Sequence, residues 1–166
     1  GAVLRSHAHV LDVLFDAERA VGVRVKLYED EERFEVREIR AKVVVDATGV
    51  SAFLMNRLGL KQADPRLKKG TIWTYWRNAY RDPGVRDEGA TLILSTQDKM
   101  SWFWYIPLSD NVVSVGVTGD MNYIFDKSRG SIEEIYMQEV ARCPELQKRL
   151  DDAERVHEFF TTKDFS

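Results

Sequence analysis

The sequence predicts an α+β protein in two parts, and three observations carry that reading. Short strand patterns separated by charged turns run from Val10 to Val36 and lead into the apolar triplet Val43, Val44 and Val45. Four further strand patterns follow between residues 71 and 119 with short polar links, the spacing of an antiparallel sheet. A helix then opens at Ser131 with Glu134 three residues later, the signature of a capping box.

In the first part, Val10 to Phe15 reads as a strand and "DAER" as its turn. Val21, Val23, Val25 and Leu27 alternate with Gly22, Arg24, Lys26 and Tyr28, which is the period of a half-buried strand. "EDEER" is a solvated hairpin tip, and Phe34 and Val36 begin a third strand, completing a β-meander. The apolar parity then changes at Ile39, Ala41, Val43 and Val45, so a bulge is expected near Arg37 and Glu38. The triplet of valines is apolar on both faces, as in a strand covered on both sides in a parallel sheet. "DATG" (residues 46–49) follows it, then Ser51 as expected N-cap, a helix, and Gly59 as expected C-cap.

In the second part the expected strands are "TIWTYWRNAY", "ATLILST", "SWFWYIPL" and "NVVSVGVTG". Ile132, Ile135, Tyr136 and Val140 form the apolar stripe of a helix packed on that sheet. Pro144 opens a second short helix, and "RVHEFFTTKDF" reads as a final strand.

Composition narrows the function. The 166 residues carry a net charge of −3 with both signs interspersed, which argues against a nucleic-acid partner. No apolar run approaches the ~20 residues of a membrane span. One cysteine, Cys143, allows no internal disulfide and fits a reducing cytoplasm. The chain begins at Gly1 within an apolar stretch and stops after an aromatic one, so it is expected to be an internal piece of a longer protein.

Few residues point to chemistry. His7, His9 and His157 complete no ligand set with cysteines or carboxylates, so no metal site is expected. Cys143 precedes a helix start, where a dipole lowers a thiol pKa, but no histidine lies near it in sequence, and a structural role is expected. "DATG" reads either as a tight strand-to-helix turn or as a place where backbone meets a ligand, since Gly49 has no side chain in the way. Trp102, Trp104 and Ile106 share one strand face, with Phe103 and Tyr105 on the other. A buried central strand accounts for that pattern, but two indoles on one face also make a flat wall for a planar cofactor or aromatic substrate. Trp73 and Tyr75 extend the wall on another strand.

The hexapeptide "WFWYIP" resembles the W-x-W-x-I-P signature of flavin-dependent halogenases. "VVVDATGVSAFLMNRLGL" is similar to the strand–turn–helix beside FAD in that family and in the wider class of aromatic-ring hydroxylases and geranylgeranyl reductases. "HVLDVLFDAERAVGVRV", "DPGVRDEGATLIL" and "NVVSVGV" resemble further family segments. The resemblance implies an α/β FAD domain and a substrate domain in the intact protein. Residues 1–60 would be part of the former, and residues 61–166 the latter, truncated at its C-terminus. It implies that FAD, reduced by a partner flavin reductase, uses oxygen and halide to halogenate an aromatic or carrier-protein-tethered substrate. By the same likeness Val10 meets the adenine through backbone, and Asp46, Ala47, Thr48 and Gly49 lie at the FAD-side turn. The likeness also gives Trp102, Trp104, Ile106 and Pro107 the role of keeping substrate from the flavin.

Departures from the pattern are also present. The G-x-G-x-x-G and G-D-A segments and the N-terminal lysine of the family are absent, and "KMS" stands where glycine is expected before the first tryptophan. No catalytic residue is assigned, and this chain alone is expected to be inactive. The alternatives are a FAD monooxygenase or geranylgeranyl-type reductase, and a non-catalytic module that holds a hydrophobic ligand.

Overall fold

Alternation at Val21, Val23, Val25 and Leu27 does produce a strand, the middle one of a three-stranded antiparallel sheet. Its members are β1 (Ala8–Asp16), β2 (Arg19–Tyr28) and β3 (Phe34–Arg40), in the order β1-β2-β3. The computed structural model describes residues 1–62, 64 and 66–163, and this sheet belongs to the first of two compact units, Gly1–Gln62. Ala17, at φ +51°, and Glu18 turn β1 into β2. Val13, Val25 and Leu27 are buried at its centre.

Two expectations fail in this unit. The bulge foreseen near Arg37 and Glu38 is absent: β3 runs in unbroken register with β2, from Gly22 opposite Arg40 to Tyr28 opposite Phe34. The irregularities lie instead between β1 and β2, after Val10 and after Leu14. Every residue of β3 is exposed, so the strand has no buried face for its apolar parity to follow. Its charges pair along the surface, Arg24 with Glu38 and Arg37 with Glu35. The expected buried strand over the valine triplet is also not formed. Val43 and Val45 are 73% and 80% exposed, outside any strand. An apolar run becomes a strand only where neighbours supply its ladder, and no described strand pairs with it.

After Gln62 the second unit holds a larger antiparallel sheet. Its strands are β4 (Lys69–Arg77), β5 (Leu92–Ser95), β6 (Ser101–Pro107), β7 (Val112–Asp120), β8 (Glu154–Arg155) and β9 (Phe160–Lys163). The order is β5-β6-β7-β4-β8, with β9 also paired to β4. β5, β6 and β7 form a meander, and β4 lies beside β7, a Greek-key arrangement. Asp110 and Asn111, both at positive φ, make the β6–β7 turn, as a primed hairpin turn requires.

Helices α2 (Met121–Ile124), α3 (Ile132–Ala141) and α4 (Pro144–Leu150) complete the unit. Ser131 and Glu134 form the expected capping box, and Pro144 occupies the first turn of α4. Ile72, Phe103, Tyr105, Val113, Val115 and Val117 from the sheet and Ile124, Ile135, Tyr136, Val140 and Leu146 from the helices make one core. The ring of Phe103 meets Tyr136 edge-on at 5.8 Å. Trp76 Nε1 donates to the Tyr136 hydroxyl at 3.2 Å, and that hydroxyl donates to the Val115 carbonyl at 3.2 Å.

The single final strand expected over residues 155–165 is instead two short strands on the edge of β4; residues 164–166 lie outside the described residues. Between them the Val156 N–H donates to the Tyr75 carbonyl at 2.9 Å, and the Thr74 hydroxyl lies 2.9 and 3.0 Å from the carbonyls of His157 and Glu158. Among the described residues no helix is long and apolar enough to cross a membrane.

Tyr136→Phe removes a hydroxyl that serves two buried groups. It is expected to cost about 1–3 kcal/mol, read as a lower midpoint in chemical denaturation, because Trp76 Nε1–H is left without an acceptor.

Candidate functional site

Two features stand out, one in each unit. In the first unit the turn at residues 46–49 is organised by one carboxylate. Asp46 accepts hydrogen bonds from the Thr48 hydroxyl (2.7 Å), the Thr48 N–H (3.0 Å) and the Leu54 N–H (2.7 Å). The Thr48 hydroxyl in turn accepts from the Phe53 N–H at 3.0 Å. These side chains satisfy the opening N–H groups of α1 (Phe53–Arg57). Ser51, the expected N-cap, does not: its hydroxyl donates to the Thr48 carbonyl. A short 3-10 turn at Gly49–Ser51 and a left-handed Ala52 (φ +43°) intervene and bring the helix start onto Asp46 instead. Gly59 does close the helix, with the Leu60 N–H bonded to the Met55 carbonyl in a Schellman pattern.

The hydrogen bond from the Thr48 hydroxyl, followed by those from the Leu54 and Thr48 N–H groups, holds the Asp46 carboxyl below its ordinary range. Gly49 has φ +61°, and the space where its Cβ would stand is open. Both the backbone angle and the clearance suit close approach of a ligand to the main chain. Ala47 is exposed in the same turn. Val10 lies opposite Val25 on β1, an edge strand in the described sheet, immediately before a break in register.

In the second unit, β6 divides its aromatic side chains as alternation requires. Phe103 and Tyr105 are buried against the helices, whereas Trp102 is 39% exposed and Trp104 and Ile106 are half-buried on the opposite face. Pairing places Ile93, Trp104, Gly116, Trp73 and Phe160 in one row across five adjacent strands. Trp104 lies on the backbone of Gly116, where an added Cβ would fall 2.2 Å from its ring. Its Nε1–H donates to the Ser114 hydroxyl at 3.2 Å, which gives the indole a polar partner.

The aromatic row continues beyond Trp104. Trp73 is 6.3 Å from Trp104 and stacks on Phe160 at 5.5 Å; Tyr75 meets Phe160 at 5.9 Å and His157 at 5.1 Å. The four expected members of this site therefore divide: Trp102, Trp104 and Ile106 share the open face, and Pro107 ends the strand beyond the reach of β5. Sequence reasoning anticipated Trp73 and Tyr75 on this wall but not Phe160, Ile93 or Gly116, whose membership depends on strand order. Cys143 is buried with its thiol pKa raised by burial, the opposite of the shift a helix dipole would give.

A chlorinase of Pseudomonas fluorescens that acts on 1H-pyrrole-2-carbonyl-[peptidyl-carrier protein] is 32% identical over 133 residues, 78% of this chain and 29% of the chlorinase. The corresponding brominase of Pseudoalteromonas luteoviolacea is 27% identical over 161 residues, 95% of this chain and 37% of that enzyme. The myxobacterial chondrochloren halogenase, a FAD-dependent enzyme, superimposes with a TM-score of 0.70 at 30% identity, covering 98% of this chain and 36% of that one. Its homologues are flavin-dependent halogenases. The chain spans less than two-fifths of the length of each of these relatives. No family model matches it.

Two outcomes test the geometry. Gly116→Ala is expected to push the Trp104 indole off β7 at a cost of about 1–3 kcal/mol, measured by denaturation, with increased quenching of tryptophan fluorescence. Because the folded pKa of Asp46 lies below its ordinary 3.8, its stabilising effect is complete above that value and is lost as pH falls through the lowered one. The protection of the Leu54 amide against hydrogen exchange, relative to its intrinsic rate, is expected to fall in that acid range, and in Asp46→Ala at neutral pH.

Proposed function

We propose that this chain is part of a FAD-dependent halogenase, contributing part of the cofactor site and the wall of the substrate site. The observation that carries the proposal is the open aromatic face, where W-x-W-x-I-P is laid out as Trp102, Trp104 and Ile106 with Trp73 and Phe160 beside them. The likeness to halogenases over most of the chain supports the same reading.

The turn fits its part in holding FAD. Gly49 leaves room for a ligand against the main chain, and the Asp46–Thr48–Leu54 bonds keep that backbone in place. Ala47 lies in the same turn, and Val10 offers backbone at the edge of β1 for the adenine. When bound and reduced by a partner flavin reductase, FAD supplies the oxidising chemistry that converts halide, with oxygen, into the halogenating agent. The residues of this chain orient the two ligands. Trp102, Trp104, Ile106 and Pro107 present a rigid apolar surface to an aromatic substrate, free or tethered to a carrier protein. The chlorinase and brominase act on such a tethered pyrrole. The lone buried Cys143 supports a reducing, cytoplasmic setting.

The test is an assay of the enzyme that contains this chain, with reduced FAD, oxygen and chloride or bromide. A halogenated aromatic product that requires halide is expected, and replacing Trp102 and Trp104 by Ala is expected to lower its yield at least about tenfold through lost positioning. Oxygenated product formed equally well without halide would identify a monooxygenase. Absence of flavin binding altogether would leave the aromatic face as the wall of a binding module.

A further inference from the structure

β6 poses a folding problem that hydrophobicity alone does not solve. Trp102, Trp104 and Ile106 on one side and Phe103 and Tyr105 on the other are all large and apolar. A one-residue slip of the strand would exchange its faces. Burial would then be satisfied by the wrong set, and a Phe or Tyr ring could cover Gly116 in place of the indole. Something other than apolar burial must choose the face that stays open.

Ser101 opens β6 on the Phe103 side and is 1% exposed. Its hydroxyl donates to Glu139 Oε2 at 2.5 Å. Glu139 projects from α3 into the middle of the apolar stripe and is fully buried. Its other oxygen accepts from the Tyr123 hydroxyl at 2.7 Å and from Arg129 at 2.5 Å. Arg129 is itself held by the Tyr123 carbonyl and Gln138 and lies over the Tyr123 ring. The hairpin leading into Ser101 is tied to the same helix end: Arg142 pairs with Asp98, and the Gln97 N–H donates to the Arg142 carbonyl. Thr96 brackets Ser101 from the hairpin's other side, donating to its carbonyl at 2.8 Å and accepting from its N–H at 3.2 Å.

A buried ion pair is weak as a source of net stability, because desolvation consumes most of its attraction. It is strong as a discriminator, because a displaced partner leaves a charge unpaired in the core. In a slipped β6, Trp102 would stand where Ser101 meets Glu139, and the carboxylate would lose a donor to an apolar wall. We infer that Glu139, acting through Ser101 and balanced by Arg129, is the positioning residue that selects which face of β6 carries the open tryptophans. At the far end the Tyr105 hydroxyl donates to the Tyr80 carbonyl at 2.6 Å, a second polar tie on the same side of the strand. Loss of Glu139 therefore acts first on the half of β6 that holds Trp102. This role concerns the architecture of the face, whatever ligand the face receives, so its test needs no catalytic activity.

The experiment is amide and indole NMR of the full chain, whose four tryptophans give four indole N–H resonances when one arrangement exists. In Glu139→Leu combined with Arg129→Met, which exchanges the pair for apolar side chains, the melting midpoint is expected to hold or rise. Extra indole resonances are expected, beginning with that of Trp102, together with loss of the Trp73–Trp104 exciton signal in circular dichroism. Glu139→Gln keeps an oxygen for Ser101 and is expected to retain one set of four. A single unchanged set in the folded double variant would overturn the inference. Should that variant not fold, Ser101→Ala decides: extra indole resonances support the lock, and four unchanged ones refute it.

Discussion

The indole of Trp104 rests on the backbone of Gly116, and the open face of the larger sheet is spaced around that contact. Any side chain on β7 at this row would lift the ring away from the sheet. With glycine there, Trp104 lies low, its N–H reaches Ser114, and Trp73 approaches from β4 to 6.3 Å. Phe160 then stacks on Trp73 from β9. One missing Cβ on β7 thus allows aromatic side chains from three strands, β6, β4 and β9, to form a continuous surface.

That surface stays open because the opposite face holds the core. α3 and α4 cover Phe103, Tyr105 and the valines of β7, and two hydrogen-bonded networks run through this core. Trp76, Tyr136 and the Val115 carbonyl form one chain of bonds, and Ser101, Glu139, Tyr123 and Arg129 another. Helices on one face give the sheet a rigid floor, and among the described residues the other face carries the partly exposed Trp102, Trp104 and Ile106.

The first unit depends on its surroundings in a different way. Its sheet has a small centre at Val13, Val25 and Leu27, while Val36, Ile39, Val43 and Val45 are exposed. The turn after the valines is nonetheless well defined, since Asp46 and Thr48 satisfy the helix start from within the turn itself. Local hydrogen bonding fixes the segment where packing does not, and this is why the candidate cofactor turn holds its shape.

The sequence by itself determined what depends on nearest neighbours in the chain. The alternation of β2, the capping box at Ser131, Pro144 at the start of α4, the Schellman glycine at Gly59 and the split of β6 into two aromatic faces were all readable, because each follows from backbone periodicity or local bonding. The W-x-W-x-I-P run also disclosed the family to which its homologues belong. Only the tertiary structure decided the rest. Strand order brought Gly116 under Trp104 and Phe160 onto Trp73. Pairing with β2 erased the bulge expected in β3, and want of a pairing partner left the valine triplet without a ladder. A left-handed Ala52 moved the cap from Ser51 to Asp46 and Thr48. Glu139, which no sequence pattern singled out, became the buried partner of Ser101 and Arg129. Pairing and burial join residues distant in sequence, so no local pattern encodes them.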